Sequence, residues 1–398
     1  MLDSQLSQYF HELESGAPLR CLDIFRSNIH TRFSSSTPPS ILVQDFCRAA
    51  RAVSLEPKIN PDACAVKTLR AHHILSRKTL SFSETLEDRW NLLSADDLEK
   101  ILLAHKRIQT IPSQQTLEKW LSVTYNKLGE MGAGWLGKSI SHLADLGVYP
   151  SDEWMKSWVE ALKPKSADLG WENGFRVLYK LALLDYLRQN SREYDLSDNK
   201  SPCTEAADMF LDFLEKRHAS VFKDKVDNRV YYAALWFKRD FINGLPIEEQ
   251  TSSSSRLERS VLNQVSDAKL EVYSDGIKIE QIGRKVDLRV RFHLADIGCE
   301  VDGILHFMFS PANNPKEGAV MYNTSTRFHA ALTKELRPDL KILRVPYFTL
   351  NDAKGTQIPW EKIFGKVHRS MPSHFSLDSG SSIRDVSKSG YIFKGRTL

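Results

Sequence analysis

Through roughly the first 243 positions the apolar residues recur three or four apart, the spacing of amphipathic helices, and short Pro-containing breaks separate the stretches. The pattern repeats. An offset of 38 residues relates Leu98 to Leu136, Leu102 to Ile140, Ile108 to Leu146, Pro112 to Pro150, Leu117 to Met155 and Trp120 to Trp158. Leu178 and Leu184 continue it into a third copy. Each copy reads as a helix, a Pro break and a second helix that begins near Gln115 or Asp152. One such pair cannot bury both of its faces, so consecutive copies are expected to stack into an α-solenoid closed by atypical end units. Residues 41–57 and 204–243 are also helical in pattern but poor in register, and are expected to be degenerate flanking units.

Near Gly244 the period changes. LPIEEQTSSSS is a polar linker, and after it come short runs of β character: KLEVYS (269–274), RKVDLRVRF (284–292) and IGCEVDG (297–303). A helix over 326–336 stops before Pro338, and LKILRVP (340–346) is a further strand ended by Pro346. Strand, helix, strand in this order predicts a βαβ crossover with IGCEVD and LKILRV as parallel neighbours. The predicted organisation is 1–90 degenerate helical units, 91–243 the repeat array, 244–254 the linker, 255–368 a small α/β domain, and 369–398 a basic, Ser-rich tail.

Composition narrows the functional classes. Lys and Arg number 54 against 50 Asp and Glu, a formal charge of +4, so attraction to nucleic acid must come from local patches. The N-terminus carries Asp3, Glu12 and Glu14 early and lacks the pattern of a secretory or transit signal, and no apolar run approaches the length that spans a bilayer. A soluble protein of the cytoplasm or an organelle matrix is expected, with no membrane partner. Five widely spaced cysteines without a C-x-x-C fit reduced thiols, and structural zinc is not expected, since His72 and His73 are adjacent and lack neighbours at ligand spacing.

The segment from about Ser255 to Leu350 carries the most information. It has Ser255-x-x-Glu258 opening a helix, Val286-Asp287-Leu288, then Glu300-Val301-Asp302-Gly303 followed by His306-Phe307, a Tyr322-Asn323-Thr324 helix start, and Arg344-Val345-Pro346-Tyr347-Phe348. In order and spacing these pieces resemble the RAP domain, with Gly303-Ile304 where Gly-Pro is usual. Proteins with this domain typically carry degenerate helical repeats upstream, as the octotricopeptide-type repeat proteins and the FAST kinase domain proteins do. The resemblance implies action on RNA, and a domain related to the PD-(D/E)XK nuclease fold.

Glu258, Asp287 and Glu300 then form a candidate catalytic set, one acid on a helix and two on adjacent strands, with Asp302 beside them where the nuclease signature has Lys. Converging carboxylates of this kind hold Mg²⁺ or Mn²⁺, with Asp287 and Glu300 as the candidate ligands, and Lys285 or Lys341 as a substitute cation. Ser255-x-x-Glu258 is equally a capping box, and Asp302-Gly303 a strand-ending turn. In the repeat, the offset of 38 also links Lys100, Lys138 and Arg176, a cationic ladder for successive phosphates of one strand or simply a solvated helix surface. Trp120 and Trp158 recur among apolar neighbours and are expected in the core. His306, Phe307 and Arg344 complete the candidate RNA contacts. The favoured reading is an RNA-binding protein whose repeats select single-stranded RNA while the RAP-like domain assists binding, processing or stability. The alternatives are a Mg- or Mn-dependent endoribonuclease and a protein-interaction scaffold that uses the solenoid.

Overall fold

The computed structural model describes residues 38–54, 86–190, 200–221, 226–240, 255–310, 319–346, 358–370, 374–377 and 383–385. Most of the expected N-terminal units, the linker and most of the basic tail lie outside the described residues, as do Tyr347 and Phe348. A helix-rich region is followed by a mixed β-sheet. The chain divides into two compact units, one reaching Asn173 and including Met308–Met321, the other running from Gly174 to Phe307 and resuming at Tyr322.

In the first unit, α1 (Pro39–Ser54) and a 3-10 turn (Glu87–Leu92) precede two helix pairs: α2 (Ala95–Arg107) with α3 (Gln114–Tyr125), and α4 (Ala133–Leu146) with α5 (Asp152–Leu162). The hydroxyls of Ser113 and Ser151, 38 residues apart, cap α3 and α5 by accepting the N–H of Thr116 and Trp154, each at 3.2 Å. The repeat is written into the tertiary hydrogen bonds as well. Trp120 Nε1 donates to the Leu98 carbonyl at 2.9 Å, and Trp158 Nε1 donates to the Leu136 carbonyl at 3.1 Å. Both indoles are fully buried, so they are core donors rather than surfaces for base stacking. Lys127 Nζ reaches the carbonyls of Asn91 and Leu93, and Lys165 Nζ those of Gly129 and Met131, in the same relation. These two ammonium groups tie each second helix to the turn that leads into its own pair.

From Gly174 onward α6 (Gly170–Asn190) belongs to the second unit, which continues with α7 (Pro202–Val221) and α8 (Asn228–Trp236). Leu178 and Leu184 share one helix, as their counterparts Ile140 and Leu146 do; the departure from the repeat is that this helix runs on for 21 residues, with Arg188 where Pro112 and Pro150 break the earlier copies. Asp185 on α6 accepts from Ser201 Oγ, Gln189 Nε2 and Trp236 Nε1, which satisfies a buried carboxylate and fastens α8 and the start of α7 to α6.

Next come α9 (Arg256–Asp267), β1 (Glu271–Tyr273), a small ribbon of β2 (Lys278–Ile279) with β3 (Arg284–Lys285), then β4 (Leu288–Phe292) and β5 (Ala295–Asp302). A second ribbon of β6 (Phe307–Ser310) and β7 (Ala319–Tyr322) leads to α10 (Thr324–Leu336), β8 (Ile342–Pro346), α11 (Trp360–Arg369), β9 (His374–Leu377) and β10 (Ile383–Asp385). The six-stranded sheet has the order β1-β4-β5-β8-β9-β10. The expected crossover is present: β5 and β8 run parallel, pairing Glu300 with Arg344 and Val301 with Val345. RKVDLRVRF, expected as one strand, is two, with Val286 and Asp287 between them. Strict alternation divides the sheet. Leu288, Val290, Ile297, Cys299, Val301, Leu343 and Val345 share a core with Val261 and Val265 of α9 and with Trp360, Ile363 and Phe364 of α11. The opposite face carries Arg289, Gly298, Glu300, Asp302 and Arg344.

Trp158→Phe removes an indole donor and shrinks a packed ring, and should cost about 1–2 kcal/mol in urea unfolding while helical circular dichroism persists. A second expectation concerns His105, which is buried on α2 against the Phe46 ring, 5.4 Å away between centroids. Burial pushes its pKa from 6.5 down to about 4, opposed by the Thr110 backbone. The unfolded chain therefore binds the proton first, and the stability due to the neutral ring is complete above pH 6.5 and lost as pH falls toward 4, by about 3 kcal/mol in all. Melting between pH 7.5 and 4.5 should shift less in His105→Leu than in the parent protein.

Candidate functional site

The polar face of the sheet is built by local geometry that the strand pattern dictates. Gly276, with φ of +58°, turns the chain after β1, where a Cβ would stand 1.8 Å from the Val286 carbonyl oxygen. The Val286 N–H then bonds the Ile277 carbonyl at 2.9 Å, and Asp287 follows with one carboxylate oxygen accepting the Val301 N–H at 2.7 Å. On β5 the period of two brings Glu300 and Asp302 to the same face, and the parallel register brings Arg344 beside them.

Each acid has a defined partner. Arg344 Nη1 donates to Asp302 Oδ1 at 2.5 Å, with both side chains removed from solvent. Arg284 Nη2 donates to Glu300 Oε1 at 2.9 Å. Burial opposes the charge of Glu300, but Arg284 and then Arg344 outweigh it and hold its carboxyl below the ordinary value. Burial likewise opposes the charge of Arg344, and Asp302 and Glu300 reverse that effect. Asp287 goes the other way. Burial first, and then the charge of Glu300, push its carboxyl up to about 8, against the Val301 N–H that favours the ionised form. Glu258 and Asp302 add to the rise, so the four expected acids do share one electrostatic neighbourhood. Glu258 also has the structural part anticipated for it: its N–H is capped by Ser255 Oγ at 3.1 Å at the start of α9.

His306 lies on the turn between β5 and β6, with Nδ1 at 3.3 Å from Asp302 Oδ1 and 3.1 Å from Thr326 Oγ1. Its side chain is 40% exposed. Phe307 is buried against the Tyr322 ring at 4.7 Å, and Arg344 is buried beneath that same ring, so neither presents itself to a base. Helices from both sides of the sequence cover the polar face. Tyr179 on α6 hydrogen-bonds Ser325 Oγ at 2.8 Å and His329 Nε2 at 3.1 Å, and Tyr232 on α8 meets the His329 ring at 4.9 Å. Burial, and then the surrounding cations Arg284, Arg344 and Lys180, lower the His329 pKa well below its usual value and keep the ring neutral.

The cations beside the carboxylates are therefore Arg284 and Arg344, not the anticipated lysines: Lys285 is exposed, and Lys341 Nζ donates to the His368 carbonyl. Arg344 was visible in the sequence only as part of a motif. Arg284 gave no signal, because its reach to Glu300 depends on the β2–β3 ribbon. Nor was the Tyr273 ring anticipated, which lies under Arg289 at 4.4 Å where β1 pairs with β4, although the alternation in LRVRF does place both arginines on one face.

The residues do not fit a Mg²⁺ or Mn²⁺ site. Glu300 and Asp302 each give an oxygen to a guanidinium and Asp287 retains a proton near neutral pH, so three free anionic acceptors do not converge. Among the described residues no group of three or more His, Cys, Asp or Glu is arranged to hold a metal ion. In the helical repeat, Lys100 pairs with Asp96 and Lys138 with Glu99 at 3.0 Å, while Arg176 is exposed on α6 in the second unit. No helix among the described residues is long and apolar enough to cross a membrane. No protein-family model matches the chain, and no curated protein matches it significantly.

The raised Asp287 pKa gives a signed pH dependence. The native state holds this proton more tightly than the unfolded chain, so the stabilisation is complete below pH 3.8 and is lost as pH rises toward 8. Asp287→Asn keeps an acceptor for the Val301 N–H and removes the titration. It should melt higher than the parent at pH 8 and lose that advantage at pH 5; equal melting at both would assign the proton elsewhere.

Proposed function

We propose that this protein binds single-stranded RNA, with an α-solenoid of helix pairs upstream and a RAP-like domain downstream that assists binding, processing or stability. The observation that carries the reading is the recurrence at 38 residues of the same side-chain bonds, Trp120 and Trp158 to Leu98 and Leu136, ahead of a domain that retains the RAP-like pieces in order. In that domain a helix, three antiparallel strands, a second helix and a parallel strand follow one another as α9, β1, β4, β5, α10 and β8, an order that supports kinship with the PD-(D/E)XK fold.

The carboxylates belong to a buried ionic framework in this reading and support the domain's shape. Fold kinship does not bring nuclease chemistry with it, and no cleavage step is derived from these residues. The proposal also does not rest on the Lys100 and Lys138 ladder, since both cations already have acids beside them. Host compartments containing RNA, cytoplasmic or organellar, agree with this function.

The test is a binding titration of the full chain against single-stranded RNA and duplex DNA across a range of salt. Affinity for RNA should exceed that for the duplex. It should fall with rising salt, the logarithmic slope being about −0.7 per phosphate contacted. Binding that ignores salt, or that favours the duplex, would overturn the reading and leave the protein-interaction alternative.

A further inference from the structure

His306 is an expected RNA contact that the fold leaves partly open and also fixes in orientation. It ends the short turn that follows Gly303, and its own N–H bonds the Gly303 carbonyl at 3.0 Å. Its carbonyl accepts the Asn323 N–H at 2.8 Å, and Asn323 Nδ2 donates to the Leu305 carbonyl at 2.7 Å. The turn is thereby pinned to the N-terminus of α10. Side-chain contacts then set the ring. Asp302, itself locked by Arg344, stands 3.3 Å from Nδ1, and a carboxylate there favours the tautomer with the proton on Nδ1. Thr326 Oγ1, 3.1 Å from the same nitrogen, is a second hydrogen-bond partner there. With the proton on Nδ1, Nε2 is the acceptor nitrogen of a side chain that is 40% exposed.

The surroundings suit a sugar-phosphate backbone. Leu305, the residue before His306, is an apolar side chain 68% exposed. The positive end of the α10 dipole begins at the adjoining Asn323 cap. A fixed acceptor nitrogen beside an apolar contact and a positive helix end matches one feature that RNA has and DNA lacks, a hydroxyl donor on the ribose.

Resting on the RNA-binding reading, we infer that His306 distinguishes RNA from DNA, its Nε2 accepting a hydrogen bond from a ribose 2′-hydroxyl while Asp302 and Thr326 act as positioning residues.

The probes are randomised single-stranded pools in three chemistries, ribose, 2′-deoxyribose and 2′-O-methyl ribose, titrated against the full chain. The parent should bind the ribose pool more tightly than the other two, both of which lack the donor. His306→Ala should lower ribose-pool affinity by roughly five- to tenfold, the loss of one such hydrogen bond, and bring it level with the deoxy pool. Thr326→Val keeps the shape of its side chain and frees the imidazole, and should narrow the ribose preference part of the way. Melting of both variants checks that the fold is kept, and neither disturbs the buried Asp302–Arg344 pair. If His306→Ala weakens all three pools alike, the residue is a general contact and the inference is overturned. An unchanged ribose preference overturns it too. Failure of the parent to bind any pool would instead overturn the RNA-binding reading, and the inference with it.

Discussion

Arg344 occupies the middle of β8 with its guanidinium wholly enclosed, and Asp302 faces it from the parallel neighbour β5. Burying one charge without the other would cost several kcal/mol, so the pair fixes the mutual placement of the two strands more stringently than apolar packing would. A shift of one residue in either strand would send Arg344 or Asp302 into the core that holds Val301, Leu343 and Val345. The same pair obliges the protein to cover this face of the sheet with groups that tolerate charge. α10 supplies neutral His329 and the hydroxyls of Ser325 and Thr326, and α6 supplies Tyr179. One ion pair therefore accounts for the strand register and for the polar character of the helix surfaces laid over it.

The boundary between the compact units follows from this requirement. The composition changes near Gly244, where apolar helical periodicity yields to Ser-rich sequence and short strands, yet α6 and α8 belong with the sheet. Tyr186 and Trp236 pack on Phe328, and Tyr232 on His329, so the residues before the composition change close the face that the residues after it create. Separating the chain at Gly244 would expose the surfaces around Glu300, Asp302 and Arg344 to water. A linker-like composition marks where a chain is locally polar; which elements share a core is decided by contacts far apart in sequence.

What could be read from the sequence was what depends on local period. The spacing of Leu98, Trp120, Leu136 and Trp158 gave the two helix pairs, and alternation in LRVRF and IGCEVD gave both the strands and their faces. Asp287 and Glu300 were expected on adjacent strands, with Asp302 beside them, and the antiparallel pairing of β4 with β5 brings Asp287 opposite Glu300. The identity of their counter-cations was not legible. Arg284 and Lys285 are adjacent and chemically alike, and only the ribbon of β2 and β3 sends the first to Glu300 and the second to solvent. The same limit applies to lysines of the repeat: Lys127 and Lys165 look like solvated helix charge, and their tie to backbone carbonyls appears only when the helices pack.

A division of labour among the ionisable groups follows. Arg284 pairs with Glu300 and Arg344 with Asp302, and the fields of these neighbours hold Glu300 and Arg344 charged despite burial. Asp287, lacking a guanidinium of its own in that set, takes up a proton instead, which spares the domain a third buried negative charge. The net charge enclosed on this face is then close to balanced without an added ion. His306 extends from this interior to the surface, and the carboxylate behind it is held too firmly by Arg344 to follow a ligand outward. A ligand meeting His306 therefore meets an imidazole of set orientation, which is the condition for a single hydrogen bond to discriminate between chemistries that differ by one hydroxyl.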